Sequence, residues 1–329
     1  MTTTGTLRWG LLGTARINRS VIPPLRSSSR NRVDAVASRT LERAEAYAGQ
    51  WGIERVFGSY DAMLADPAID VVYIAVPNAL HAMWTVRAVE AGKHVLCEKP
   101  LAITVEEVDE VAAAARETGV VVAEAFMYRH HPQTARVADL VAACALGRVR
   151  FVRGSFSFTL NRPHDVRLDP ALGGGALWDV GCYPLSFARR VLGREPLEVM
   201  GAGHQGPTGV DLTFAAQLLF PDDVLVQFDC SFEAPFRTAM EIVGEEACLV
   251  VAQPFKPGAG AQLRLSRGEK SEAIQVATAD LYEGEVEDLA DAVLLGKAPR
   301  VSLADSRGNV AAMVALLRSA RENRPIRLG

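Results

Sequence analysis

The sequence predicts an α/β protein: an amino-terminal doubly wound parallel sheet, then an α+β domain built on an open, mostly antiparallel sheet. Three observations carry this. Over the first 126 residues short apolar runs alternate with helical segments, the pattern of βαβ units. After about Phe126 strand-like runs succeed one another, and 224–230 alternates apolar and polar residues, as in a sheet with one wet face. A chain of 329 residues also exceeds one ordinary core and suits two domains.

The elements follow in order. Residues 7–12 are a short apolar run that ends in glycine, as a buried parallel strand does. Residues 17–26 read as a helix that Pro23-Pro24 must kink or end. A second strand is expected at 33–37 and a helix at 41–51, with Thr40 as N-cap. Residues 71–76 form the clearest buried strand. The helix 79–91 stops at Gly92, a good C-cap residue. A strand at 94–97 precedes Thr104-Val-Glu-Glu107, a capping box that opens a helix running to Thr118. Residues 120–123 close the series. Beyond it, strands are expected at 149–158, 197–203, 210–220, 224–232, 239–243 and 248–251. One helix interrupts them after Gly173-Gly174-Gly175, and two helices, near 283–295 and 303–321, finish the chain.

Composition narrows the class. Apolar residues make up 49% and charged residues 22%, with a net charge of -4, so a folded globular protein is expected. No basic stripe offers itself to a phosphate backbone, which argues against nucleic acid. The five cysteines, Cys97, Cys144, Cys182, Cys230 and Cys248, are odd in number and lack CxxC spacing. They read as reduced thiols, with neither a disulfide framework nor a metal site. Residues 1–5 lack the basic and apolar regions of a signal peptide, and no apolar run reaches membrane-spanning length. A cytoplasmic location without membrane partners is expected.

The chemistry-bearing residues gather at strand ends. The first βα turn reads Gly10-Leu-Leu-Gly13-Thr14-Ala15-Arg16-Ile17-Asn18. A dinucleotide needs small residues there, because backbone must approach the pyrophosphate at the helix N-terminus. Asn18 takes the third small position, so the fingerprint is imperfect. The second strand ends in Ser38-Arg39-Thr40, with Arg43 one turn on. An acid at that address would bind the ribose 2′-hydroxyl; a hydroxyl and guanidinium groups suit a 2′-phosphate, so NADP is expected over NAD. A solvated arginine at a helix start is the plainer alternative. Pro77-Asn78-Ala-Leu-His81 follows the best strand and points toward the cofactor region, although His81 could equally be a satisfied first-turn histidine.

Glu98-Lys99-Pro100 places a lysine at the same sheet edge, where it can bond a substrate hydroxyl or lower a neighbour's pKa. Pro100 fixes that turn in either the trans or the cis form. The third cluster is Gly173-Gly174-Gly175-Ala-Leu-Trp178-Asp179-Val-Gly181-Cys182-Tyr183-Pro184. Its glycines allow close backbone approach or simply a flexible entry. Asp179 and Tyr183 stand at i and i+4, on one helix face, and form either a proton-handling pair or a cap and a core aromatic. Pro184 would disturb the helix there and tilt Tyr183 outward.

In this order the motifs resemble the Gfo/Idh/MocA oxidoreductase family over essentially the whole chain, most specifically through Glu98-Lys99-Pro100. The segments 124–132 and 173–184 resemble a narrower group with dimeric dihydrodiol dehydrogenases and NADP-dependent D-xylose dehydrogenases; sugar 3-ketoreductases share its lysine–tyrosine arrangement. The resemblance implies an NADP-binding Rossmann domain at 1–126, completed by the C-terminal helix at 300–329. It implies a substrate and oligomerisation sheet domain at 127–299, whose open face pairs subunits into dimers or tetramers.

Many relatives carry histidine where this chain has Tyr183 and aspartate where it has Ser186. Tyr183 is therefore expected as the acid/base, with Lys99 beside it and Asp179 orienting. Cofactor contacts are expected from Gly10, Gly13, Thr14, Ala15, Arg16, Ile17, Ser38, Arg39, Arg43, Pro77, Asn78, His81, Glu98 and Lys99. Substrate contacts are expected from Lys99, Tyr128, Arg129, Arg162, Asp179 and Tyr183, with loop residues Arg153, Asn161, His164 and Arg167 shaping the pocket. The expected reaction moves hydride between NADP(H) and a carbinol or carbonyl carbon of a small polyhydroxylated substrate, a sugar or cyclic diol. The alternatives are a nucleotide-sugar 3-ketoreductase and a non-catalytic NADP-sensing regulator.

Overall fold

The computed structural model describes residues 5–258 and 260–329; Met1–Thr4, on which most of the leader reading rests, lie outside the described residues. The first half runs β1 (Leu7–Leu12), α1 (Asn18–Ser27), β2 (Asn31–Ala37), α2 (Leu41–Trp51), β3 (Arg55–Phe57), α3 (Tyr60–Leu64), β4 (Val71–Ile74), α4 (His81–Glu90), β5 (His94–Glu98), α5 (Val105–Thr118) and β6 (Val122–Ala125). Next come α6 (Pro132–Ala142), β7 (Val149–Ser157), α7 (Cys182–Leu192), β8 (Glu198–Gln205), β9 (Asp211–Phe220), β10 (Val224–Ser231), β11 (Arg237–Gly244) and β12 (Cys248–Val251). The chain ends with β13 (Gln262–Arg267), β14 (Lys270–Gln275), α8 (Glu283–Leu295), α9 (Leu303–Glu322) and β15 (Ile326–Arg327). Two compact units result: Met1–His130 with Tyr282–Arg307, and His131–Leu281 with Gly308–Gly329.

The first unit holds a parallel sheet in the order β3-β2-β1-β4-β5-β6. Strand order reverses between β1 and β4, so the carboxyl ends of these two strands flank the crevice where such sheets bind ligands. Its core gathers Trp9, Leu11, Val21, Val36, Val71, Tyr73 and Leu96. The indole N–H of Trp9 meets its buried partner, the Asn31 side-chain oxygen, at 2.8 Å. Thr40 caps α2, Thr104 and Glu107 form the capping box of α5, and Gly92 takes a left-handed φ of 73°.

The structure refines the sequence expectations in this unit. Of the two outcomes expected at Pro23-Pro24, an end to the helix does not occur, since α1 continues to Ser27. The short β3 and α3 carry too few residues to show a periodicity. The segment that returns to this unit is Tyr282–Arg307, not 300–329. The reason is burial: Val286, Leu289 and Ala290 of α8 lie in the first core, and Arg30 binds both Glu287 and Asp291.

The second unit holds nine strands in the order β14-β13-β12-β11-β7-β10-β9-β8-β15. Only the β7–β10 pairing is parallel. The period of two separates its faces: Val226, Phe228 and Cys230 of β10 are buried while Leu225 and Gln227 are exposed. The chain after Gly308 belongs here because β15 pairs with β8 and the Ser319 hydroxyl accepts the Gly201 N–H at 3.0 Å. Helix α6, which carries no cue in the sequence reading, starts with Pro132 at its first position behind the cap His131. Proline there costs nothing, since that N–H lacks a helical partner anyway.

Candidate functional site

At the end of β1 the backbone bends at Gly13 with φ of 106°. A Cβ there would stand 3.0 Å from the Ala75 carbonyl, so this glycine is required by both conformation and space. Gly10 has a different reason: it lies within β1, and a Cβ would meet the Met63 sulfur at 2.8 Å. It leaves room for the Met63 side chain of α3. Asn18 is buried and its amide donates to the Gly13 carbonyl at 2.8 Å. A side chain that ties the helix to the turn thus replaces the third small residue of the fingerprint. Thr14, Ala15, Arg16 and Ile17 form the intervening turn; α1 has no side-chain cap and no acid in its first turn. Its first N–H groups therefore suit an anion.

At the end of β2, Ser38 is buried and its N–H bonds the Phe57 carbonyl at 3.1 Å, while Arg39 and Arg43 are exposed. No acid stands between Ser38 and Leu41. The half-buried Tyr60 phenol lies within the electrostatic reach of both arginines; burial raises its pKa and they oppose it. Tyr60 was not singled out in the sequence, since a tyrosine at a short helix start carries no motif.

The ends of β4 and β5 hold Lys99 in a braced turn. The Tyr73 hydroxyl donates to Glu98, the Lys99–Pro100 peptide is cis, and the Leu101 N–H donates to the buried Glu124 carboxylate at 2.9 Å. His81 is the third brace. Its ring is buried, with Nδ1 2.7 Å from the Pro100 carbonyl and Nε2 2.8 Å from the Val76 carbonyl. Burial lowers its pKa to about 4, so the neutral ring donates one N–H. His81 is therefore a brace between the Pro77-Asn78 turn and the lysine turn, not the cofactor contact expected of it. Tyr73 and Glu124 were missed, although a tyrosine inside 71–76 and an acid at a strand end were visible signals.

Two expected substrate residues are buried in this structure. Arg129 is 4% exposed and its guanidinium binds Asp305 at 2.8 Å. Tyr128 is fully buried, edge-on to Phe126 with ring centres 5.9 Å apart.

In the second unit the three glycines each have a separate structural cause. Gly173 ends a short helical turn in the left-handed region, at φ 74°. A Cβ at Gly174 would collide with the Arg167 carbonyl, and one at Gly175 with the Asp211 carboxylate. The glycines lead into a π-helical turn, Leu177–Gly181, in which Cys182 N–H bonds back five residues to Leu177. Pro184 lacks an N–H and its ring would press on the carbonyl four residues back, a conflict that a π turn relieves. Asp179 and Tyr183 are therefore not on one regular α-helical face. Arg167 donates to Asp179 at 2.6 Å and to Asp165 at 3.1 Å, and this half-buried pairing raises its own pKa. Tyr183 is 5% exposed, with its ring 5.3 Å from those of Phe156 and Phe255. Pro184 has not turned it outward into solvent.

Among the loop residues, Arg162 is exposed and pairs with Asp165 at 2.9 Å, and Asn161 and His164 are exposed. Gly154 of β7 packs against Pro184, so its neighbour Arg153 points to the opposite sheet face, where it pairs with Glu241 at 2.5 Å. Arg167, expected only as a pocket-shaping loop residue, is the direct partner of Asp179.

Residues 7–126 match the family described as oxidoreductase family, NAD-binding Rossmann fold, and residues 134–250 match the GFO/IDH/MocA C-terminal domain. The chain belongs to the Gfo/Idh/MocA oxidoreductase family. This Gfo/Idh/MocA protein is 37% identical over 326 residues to a D-xylose 1-dehydrogenase (NADP(+)) of Haloferax volcanii, covering 98% of this chain and 100% of that one. It is 34% identical over 251 residues to the trans-1,2-dihydrobenzene-1,2-diol dehydrogenase of Bos taurus, covering 75% of each. Among solved structures it resembles a 3-ketoreductase from Actinomadura kijaniata in complex with NADP and TDP-benzene, with TM-score 0.90, 32% identity, and 96% and 98% of the two chains covered. Its first unit is thus an NAD(P)-binding Rossmann domain, and the Gly13 turn with the open first turn of α1 fits a dinucleotide phosphate. Among the described residues no acid, histidine and cysteine cluster is arranged to hold a metal, and no helix is long and apolar enough to cross a membrane.

Proposed function

We propose that this oxidoreductase exchanges hydride between NADP(H) and a carbinol or carbonyl carbon of a sugar or cyclic diol. The observation that carries the reading is Tyr183: a phenol fixed by aromatic packing at the start of α7, one π turn from the half-buried Asp179–Arg167 pair. NADP, when bound, supplies or accepts the hydride. Tyr183 exchanges the hydroxyl proton of the substrate. A phenol ordinarily titrates near 10, so it needs a cation to act near neutrality, and Lys99 is assigned that part. Asp179, held by Arg167, orients a substrate hydroxyl. Thr14, Ala15, Arg16 and Ile17 receive the pyrophosphate at the α1 start, and Pro77, Asn78 and Glu98 border the nicotinamide side. Ser38, Arg39 and Arg43 receive the 2′-phosphate, which the NADP-linked xylose dehydrogenase relative supports. The 3-ketoreductase relative favours a second reading, reduction of a nucleotide-sugar ketone. The outer face of the nine-stranded sheet, with Leu225 41% exposed, is assigned to pairing with a second copy; a monomer mass by light scattering would count against that.

The test is NADP-linked turnover over pentoses, hexoses, cyclic diols and nucleotide sugars, beside Tyr183→Phe. Phenylalanine keeps the ring volume and removes only the hydroxyl. The expected result is a kcat loss of about 100-fold or more, since acid–base catalysis typically supplies that much, with NADPH affinity by fluorescence titration unchanged. Near-normal turnover in the variant returns Tyr183 to the core. Binding of NADPH without turnover of any panel member favours a regulatory protein.

A further inference from the structure

Asp211 opens β9, far in sequence from every motif discussed above, and is 7% exposed. Its carboxylate accepts the Leu177 N–H at 2.7 Å. A helix start is ordinarily capped by a Ser, Thr, Asp or Asn at its own N-cap. Here the cap position is Ala176, which offers no side-chain bond, and the residue before it is a glycine. Gly175 sits at φ 126°, and any Cβ there would collide with Asp211. The third glycine of the cluster therefore leaves room for a carboxylate delivered by another strand. One turn on, Gly181 packs against the Cys230 sulfur of β10. The helix start is thus fastened to the sheet from two strands, while Arg167 holds Gly175 through its carbonyl at 2.9 Å and Asp179 through its guanidinium. Burial pushes the Asp211 pKa up to about 6 against the pull of the N–H groups, a cost that a merely decorative aspartate would not carry.

We propose that Asp211 is a positioning residue, whose carboxylate fixes the start of the helix that sets Asp179 and Tyr183. The inference rests on the reading of Tyr183 as the proton-exchanging group. A helix transmits a displacement of its first turn to residues farther along, and a misplacement of about 1 Å can cost 100-fold in rate.

The experiment uses the full chain with Asp211→Ala and Asp211→Asn. Three quantities are read: amide hydrogen exchange of the peptide spanning 174–183, NADPH affinity, and the separate kcat and KM for D-xylose or the panel sugar that turns over faster. Asp211→Ala is expected to raise exchange in that peptide and to lower kcat by about tenfold or more, the equivalent of one or two lost charge-assisted bonds. NADPH affinity stays unchanged. Asn keeps one acceptor oxygen for the Leu177 N–H and is expected to recover most of both losses. Unchanged exchange in Asp211→Ala overturns the proposal, as does raised exchange with wild-type kcat. Should Asp211→Ala fail to fold and bind NADPH, Asp211→Leu, which keeps most of the volume and removes both acceptor oxygens, decides: a kcat loss with exchange raised in 174–183 supports the proposal, and wild-type values of both overturn it. If the wild-type chain turns over no panel member, the functional reading falls, and the exchange result alone decides whether Asp211 fixes the helix start.

Discussion

The proposed preference for NADP turns on a single residue, Arg39. It stands exposed after β2 beside Ser38, at an address where an acid would hold a ribose hydroxyl. Arg39→Ala removes a charge-assisted contact to the 2′-phosphate, expected to cost about 1.5–3 kcal/mol of NADP affinity. NAD affinity is expected to stay within a small factor. Binding titrations with the two cofactors check this, and equal losses would move the phosphate contact elsewhere. His81 teaches the opposite lesson. It lies between motif residues in sequence, yet its ring nitrogens face two backbone carbonyls and leave nothing for a ligand. Spacing located the residue; only the position of the Pro100 carbonyl assigned its work.

At the scale of elements, the stretch from Gly173 to Leu192 carries the proposed acid–base chemistry. Three glycines suggested ligand approach or slack, but each answers a neighbour: the Arg167 carbonyl, the Asp211 carboxylate, or a left-handed turn end. Gly175→Ala tests this directly. Both its positive φ and the Asp211 carboxylate oppose a Cβ, so a stability loss of roughly 1–3 kcal/mol is expected. Chemical denaturation reads that loss, and a lower kcat should accompany it. A variant as stable as the parent would show that the turn is slack. Pro184 in the sequence announced a disturbed helix, and a π turn answers it. The choice of a π turn over a kink depends on the sheet beneath, because Leu177 and Cys230 both press on Gly181.

For the whole molecule, buried titratable groups set the response to acid. Burial lowers the pKa of His81 to about 4 and of His130 to about 3, the latter with help from Arg300 and Arg129. An unfolded histidine takes up its proton near 6.5. Each therefore contributes stability that is present above pH 6.5 and is lost as pH falls from there through 4, roughly 3 kcal/mol apiece over that window. Asp211 has the opposite sign. Its folded pKa near 6 exceeds the unfolded value, so its contribution is present below about pH 4 and is lost as pH rises through 6. Two histidines outweigh one aspartate, so thermal stability is expected to fall between pH 6.5 and 4. His81→Gln should flatten that fall and Asp211→Asn should steepen it. Melting curves across the window check both, and a flat wild-type profile would show that these rings charge without opening the fold.

Local pattern determined much of this protein. Apolar runs, caps and turn residues sufficed for the parallel character of the first sheet and for most of the succession of strands in the second, because the longer strands and helices state their own periodicity. The motifs at the strand ends were legible for the same reason: glycine, lysine and arginine chemistry depends on position along one element. What only the tertiary structure decided was partnership across the chain. Val286 and its neighbours return α8 to the first core, Asp211 caps a helix start at Leu177, 34 residues earlier in the chain, and Arg167 claims Asp179. Such pairings join residues that no sequence interval relates. They are fixed by burial, which makes most enclosed polar groups find a partner from whichever strand or loop the packing brings near.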